Sequence, residues 1–247
     1  MPDAPELDRP LDLLLAEAGA DALLALVRAY ASRLDAPAAR LALRNPHCTA
    51  EIVELLADQP RLVSFYEVRR DLAQHPRSPE PLALRHVPGL FWRDLMLLGL
   101  DTRVRPRVRR AAEQCLAVRL PELAVGEKIT IARRCGPGVL GQLRHDPSPR
   151  VVAALLDNPR LTEDLLAPVV HAPTTPGPVL ALVAADRRWG VRPALQSALA
   201  RNPATPIPTA LRLLPLLRKP ELRAVAQDPR TAEPVRLRAR LLLGEAP

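Results

Sequence analysis

LARNPATP at 199–206 decides the reading of this chain, because its order of helix end, Asn-Pro and Thr-Pro returns along the whole sequence. Related copies read ALRNPHCT at 42–49, LAQHPRSP at 72–79, LRHDPSP at 143–149, LLDNPRLT at 155–162, VVHAPTTP at 169–176 and VAQDPRT at 225–231. Asn45, Asn158 and Asn202 are the only asparagines, and each precedes a proline. A residue before Pro is pushed out of the helical region, and Pro cannot continue a helix. Thr and Ser then cap the next helix, while Pro in its first turn loses nothing, since its missing N–H has no partner there anyway. The pattern therefore writes a stop and a restart at every copy.

Spacing turns this punctuation into an architecture. Pro46, Pro76, Pro147, Pro173, Pro203 and Pro229 recur mostly at about 26–30 residues, with one long gap from 76 to 147 that has room for two or three degenerate units. Between breaks the apolar residues fall at helical spacing, as in Val151, Val152, Leu155 and Leu156 and in Ile52, Val53, Leu55 and Leu56. Segments 11–34, 107–120 and 126–134 read as full helices, and 235–243 closes the chain with Leu237, Leu241 and Leu242.

The NPxTP-type turns and short Leu-rich helices resemble the bacterial HEAT-like and leucine-rich-repeat-variant α-solenoids, most clearly over 143–244 and less so over 38–90. The resemblance implies an all-α, right-handed superhelix of about 14–17 short helices arranged in pairs, with a concave face that binds a protein or peptide. It divides 1–247, as one repeat domain, into an N-terminal cap (1–37), degenerate repeats (38–100), a basic middle segment (101–142), and clear repeats with a C-terminal cap (143–247). The leucine-rich-variant family is associated with an N-terminal cysteine cluster for iron and sulfur, which this sequence lacks, so no cofactor carries over.

Composition agrees with that fold class. Among 247 residues there are 29 Pro, 10 Gly and six aromatics. Such a mixture argues against sheets, whose strands draw on β-branched and aromatic residues and confine Pro to edges. Cys48, Cys115 and Cys135 form no CxxC pair, so neither a disulfide framework nor a zinc knuckle is indicated, and a reducing cytoplasm fits. The acidic start MPDAPELDRP has no basic stretch followed by an apolar run, and no segment reaches the roughly 18 apolar residues of a membrane span.

The net charge of +8 points toward a polyanion. Its cations are 33 Arg with only Lys128 and Lys219, a skew that a GC-rich coding bias also produces. The positive excess falls after residue 100. Arg103, Arg105, Arg107, Arg109 and Arg110 place five guanidinium groups at the start of a helix that Pro106 should open; they form either a phosphate-binding cluster or a solvated face paired with Asp101 and Glu113. Arg133, Arg134, Arg187 and Arg188 extend this candidate surface or, like Arg69-Arg70, cap helix carbonyl ends.

Phe65-Tyr66 and Phe91-Trp92 are one period apart, which suits core packing at equivalent positions. A sharper reading sets Trp92 with Trp189 on a wall that stacks bases or a partner's side chains. Such a wall resembles that of the HEAT-like alkylpurine DNA glycosylases, and Asp94 lies near Trp92, although no motif marks it as catalytic. His47, His75, His145 and His171 flank the junction prolines, too far apart for several to share one ion. Gly136 to Gly141 matches GxGxxG, but Pro137 and the missing following strand argue for a helix stop and restart. With five Ser and no GxSxG, no nucleophile triad emerges. The expectation is a non-catalytic scaffold without metal or cofactor that binds a protein or peptide. Nucleic-acid binding is the alternative, and a glycosylase-like enzyme a more distant one.

Overall fold

Proline sets the helix boundaries. The computed structural model describes residues 10–245, so part of the expected N-terminal cap (1–9) and the last two residues of the C-terminal cap lie outside the described residues. The chain divides into two compact units, Met1–Val118 and Arg119–Pro247. Up to that division the helices are α1 (Leu11–Glu17), α2 (Ala20–Tyr30), α3 (Ala36–Arg44), α4 (Ala50–Ala57), α5 (Pro60–Val63), α6 (Tyr66–Gln74), α7 (Glu80–His86), α8 (Trp92–Leu100) and α9 (Pro106–Arg119). Beyond it follow α10 (Val125–Ala132), α11 (Pro137–Leu143), α12 (Pro149–Leu156), α13 (Glu163–His171), α14 (Gly177–Ala185), α15 (Pro193–Arg201), α16 (Ile207–Leu213), α17 (Lys219–Gln227) and α18 (Glu233–Leu243). Short 3₁₀ turns at Val87–Gly89, Leu120–Glu122 and Leu214–Leu216 complete the elements. The described residues are all-helical, with no strand; Ile129, Thr130 and Ile131 lie inside α10, and Gly136 and Pro137 open α11.

Two expectations need correction. The segment 11–34 is two helices, because Ala18 is extended and Gly19 caps α2, and this split helps bring the count to 18 α-helices among the described residues, above the expected 14–17. Glycine is a weak helix interior residue and an acceptable N-cap. The carbonyls freed by the break are not wasted: Asn45 Nδ2 donates to Leu15 O at 3.0 Å, Ala16 O at 3.1 Å and Ala18 O at 3.0 Å.

Helix starts follow the sequence rule. Pro occupies the first or second position of most helices, and Thr49, Thr162 and Asp35 accept from the backbone N–H three residues on. Several helices pack on partners two along the chain, and others pack on the next helix, as α17 on α18, or three along, as α3 on α6. In the first unit α1 contacts α3, and α2 contacts α4; in the second, α10–α12–α14 and α11–α13–α15–α17 form successive contacts, with α16 on α18. Each buries an apolar stripe against these neighbours; α12 buries Val151, Val152, Ala154, Leu155 and Leu156. A fully buried Leu or Val side chain contributes about 1.5–3 kcal/mol relative to exposure, so these stripes dominate stability.

Eight junctions between helices share one hydrogen-bond device. The side chain of the last extended residue accepts from the backbone N–H two residues on: His47 N to Asn45 (2.8 Å), Arg77 N to His75 Nδ1 (3.2 Å), Arg103 N to Asp101 (3.0 Å) and Ser148 N to Asp146 (2.9 Å). Four more copies follow, Arg160 N to Asn158 (2.8 Å), Arg188 N to Asp186 (2.8 Å), Ala204 N to Asn202 (2.9 Å) and Arg230 N to Asp228 (3.0 Å). The three asparagines add a second function with their amide N–H groups, which reach back 23 to 32 residues. Asn158 Nδ2 donates to Ala132 O (2.7 Å) and Cys135 O (3.2 Å), and Asn202 Nδ2 to Val170 O (2.7 Å) and Ala172 O (2.9 Å). Helix C-termini leave carbonyls without intrahelical partners, and these amides fill them. The Asp228 side chain has no N–H to give. Arg201 sits against it instead, Nη2 to Oδ2 at 2.9 Å, and Arg230 closes the other side at 2.9 Å.

Candidate functional site

Two of the five arginines in the basic segment 103–110 meet carboxylates, and their side chains stay 75 % and 73 % exposed. Arg103 forks onto Asp101 (2.8 and 3.0 Å), and Arg107 reaches Glu80 at 3.1 Å. Arg110 Nε donates weakly to Pro106 O of its own helix at 3.4 Å. Arg109 is half-buried, and its Nε lies buried without a hydrogen-bond partner. Asp101 is held below the usual carboxylate range chiefly by the hydrogen bond from Arg103, whereas burial raises Glu113 against the opposing charge of Arg109. Arg105 is exposed. The expected partner Asp101 is therefore found on Arg103, while Arg107 takes Glu80, a residue that spacing along α9 did not suggest.

Arginines elsewhere cap carbonyls 26 to 30 residues back. Arg61 donates to Ser32 O at 3.1 Å and to Leu34 O, Arg77 to Cys48 O at 2.6 Å, and Arg160 to Arg134 O at 3.3 Å. Arg188 spans Asn158 O (3.2 Å) and Leu161 O (3.0 Å). Arg133, Arg134 and Arg187 stay exposed. Of the Arg pairs read as helix caps, 187-188 thus contributes one carbonyl cap and one free cation.

The tryptophan wall does not form as read. Trp189 is 1 % exposed, donates Nε1–H to Leu156 O at 3.2 Å, and carries Arg188 over its ring at 4.4 Å. A ring so enclosed has no face left for a base or a partner. Trp92 is half-buried, with Arg93 over its ring at 5.4 Å.

The core-packing reading of Phe65-Tyr66 and Phe91-Trp92 is also corrected. Phe65 and Phe91 are the N-cap residues of α6 and α8, and they are 46 % and 63 % exposed. At the cap the chain is still extended, so the side chain projects from the helix end and misses the buried stripe that begins with Val68 in α6 and Leu95 in α8. Tyr66 and Phe91 pack with ring centroids 4.3 Å apart, Tyr66 Oη donates to Asp94, and Phe91 N donates to Tyr66 Oη at 3.0 Å. Burial, then the hydrogen bond to Asp94, pushes the Tyr66 hydroxyl up to about 12, so it stays protonated and keeps donating. Four of the six aromatic side chains thus gather at two neighbouring helix starts, fixed by a Tyr–Asp pair. The 26-residue offset of the pairs is the signal the sequence carries for their equivalence; it does not carry their position at helix starts.

Two clefts open in the second unit. One, of about 110 Å³, lies at the junctions of Asn202 and Arg230, with His171 and Arg201 in its lining. The other, of about 370 Å³, lies between the end of α14, the turn after it and α16. Gly190 shapes its floor: a Cβ there would stand 2.3 Å from Ala184 O, and Gln196 Nε2 donates to Gly190 O at 2.8 Å.

Burial pushes the Cys48 thiol up to about 11, the opposite of an activated thiolate. Among the described residues no group of three or more His, Cys, Asp or Glu is placed to hold a metal ion, and no helix is long and apolar enough to cross a membrane. Comparison with protein-family models, curated proteins and solved structures gave no match.

Proposed function

We propose that this chain is a HEAT-like α-solenoid scaffold, without catalytic activity, that binds a protein or peptide partner. The stacking of helices on partners two along the chain, with the recurring Asn and Asp junctions, supports the solenoid reading. The observation that carries the binding reading is the aromatic cluster at the starts of α6 and α8. Exposed aromatic side chains held by a hydrogen-bonded neighbour lose little entropy on contact and bury large apolar area, the properties of interface hot spots. An Arg-rich surface alone supports the nucleic-acid alternative less, since Arg103, Arg107 and Arg188 already serve carboxylates and carbonyls of the fold.

The test compares wild type, a Phe65→Ala/Phe91→Ala variant and an Arg103, Arg105, Arg107, Arg109 and Arg110 to Ser variant. Each is used to recover partners by cross-linking and, separately, to titrate duplex and single-stranded DNA across a salt series. The expected result is one partner lost from the aromatic variant alone while its circular dichroism stays that of wild type. DNA binding with a steep salt slope that only the arginine variant loses would overturn the proposal.

A further inference from the structure

We infer that the cleft between α14 and α16 is a second docking site, for a peptide segment that sets a large apolar side chain beside a carboxylate. The inference rests on the reading of the chain as a protein-binding scaffold. Its wall is apolar and open: Val191 is 65 % and Leu216 is 62 % exposed, with buried Leu213 between the cleft and the core. Exposed apolar side chains gathered along one cleft differ from singly scattered ones and mark contact surfaces. Arg187 and Arg212 stand in the same lining, both exposed and neither engaged with a carboxylate. One acid shares the lining, Asp186, and its Oδ1 already accepts from Arg188 N at 2.8 Å and Trp189 N at 2.9 Å. The nearby Arg192 faces Glu163 at 3.6 Å.

This pairing selects the occupant. Two uncommitted guanidinium groups favour an anion, and the apolar wall favours a Leu- or Phe-sized side chain next to it. A bare phosphate leaves the wall uncovered. The openness of the walls suits a chain lying across the surface better than a small molecule, which is normally enclosed on most of its area. The floor is rigid, because Gly190 approaches Ala184 O as only glycine can and Gln196 holds the turn. A site of this kind changes little on binding and loses little to ordering.

The experiment uses the full chain and a fluorescein-labelled peptide of about 12 residues in which Asp and Glu alternate with Leu and Phe. Anisotropy is read at about 0.15 M salt for wild type, Arg187→Glu/Arg212→Glu and Phe65→Ala/Phe91→Ala. The expected result is saturable binding that weakens at least tenfold in the charge-reversal variant, is unchanged in the aromatic variant, and fails for a peptide with every acid replaced by Lys. Equal binding by wild type and the charge-reversal variant, no saturation at millimolar peptide, or displacement of the peptide by an equal concentration of oligo-dT would overturn it. A Val191→Asp variant serves as a second arm should charge reversal disturb folding, and must weaken binding as well. Because Phe65 and Phe91 are spectators here, a partner that still binds the aromatic variant in the earlier test and a peptide that fails to bind wild type here are separate failures.

Discussion

Asn158→Ala isolates the junction device. The Asn158 side chain is fully buried and makes three hydrogen bonds, donating to Ala132 O and Cys135 O and accepting from Arg160 N at 2.8 Å. Each such bond contributes a net of about 0.5–1.5 kcal/mol, and truncation also leaves two carbonyls and one N–H short of partners in a buried place. The expected loss is about 2–4 kcal/mol, a large part of the total for a marginally stable fold. Urea unfolding followed by Trp189 emission in a Trp92→Phe background reports on the second unit. Asp157→Ala, an exposed neighbour, should change stability by less than about 0.5 kcal/mol. Asn158→Asp adds a sign. Its carboxylate would face two carbonyls with no Arg201 equivalent, so its pKa rises on folding, the penalty is fullest at neutral pH, and it shrinks as pH falls through the raised value. A loss below about 1 kcal/mol for Asn158→Ala, or equal losses at 157 and 158, would refute the view that these asparagines lock each junction to the helix end before it.

The hydrogen bonds from Arg230 and Arg201 hold Asp228 well below the usual carboxylate range, so its contribution is present above pH ~4 and lost as pH falls below that, and urea midpoints between pH 5 and 2 should fall less steeply for Asp228→Asn than for wild type. Burial, and then Arg85 and Arg69, lowers the His86 pKa, while burial and Arg77 lower that of His75. Both are depressed in the folded state, so stability drops as pH falls from about 7 through the ordinary histidine value near 6.5, and His86→Gln should flatten that slope. In the Gly141→Ala variant of α11 the new methyl meets nothing within 4 Å and should stabilise by about 0.5–1 kcal/mol, whereas Gly190→Ala drives a Cβ onto Ala184 O and should cost more than about 2 kcal/mol.

Helices were legible because proline writes their boundaries in one residue type. Pro106, Pro137, Pro149, Pro193 and the Pro at 208, 220 and 234 all stand in first turns. The rule keyed on proline nonetheless missed two junctions, at Asp101 and Asp186, which make the same backbone bond with no proline after them. The physical signal was the short polar side chain that accepts from two residues on, and Pro only accompanies it. The split at Ala18-Gly19 escaped for a different reason. Its stabilising amide comes from Asn45, 27 residues downstream of Ala18, and no local window contains both. Exposure was less legible still. The spacing of Phe65 and Phe91 gave their equivalence, but whether equivalent residues point inward depends on a one-residue offset between cap and helix. Trp189 went inward because its indole N–H found Leu156 O, a contact far along the chain.

Arginine content takes on a different meaning once the junctions are seen. A guanidinium presents several N–H donors in a fork, so one side chain can span two carbonyls at a helix end, as Arg188 does with Asn158 and Leu161; a lysine ammonium offers no such fork. The preference for Arg over Lys is then partly a structural requirement and not solely a trace of coding bias or of a polyanion. Arg188→Lys keeps the charge and removes the fork, along with the stacking over Trp189. It should lower stability by about 1–2 kcal/mol, the cost of losing one or two hydrogen bonds from a charged donor. Arg105→Lys, at an exposed position, should be neutral. Measured side by side in urea, equal effects at the two positions would mean that the carbonyl contacts of Arg188 add nothing, and the basic surface would again need a partner to explain it.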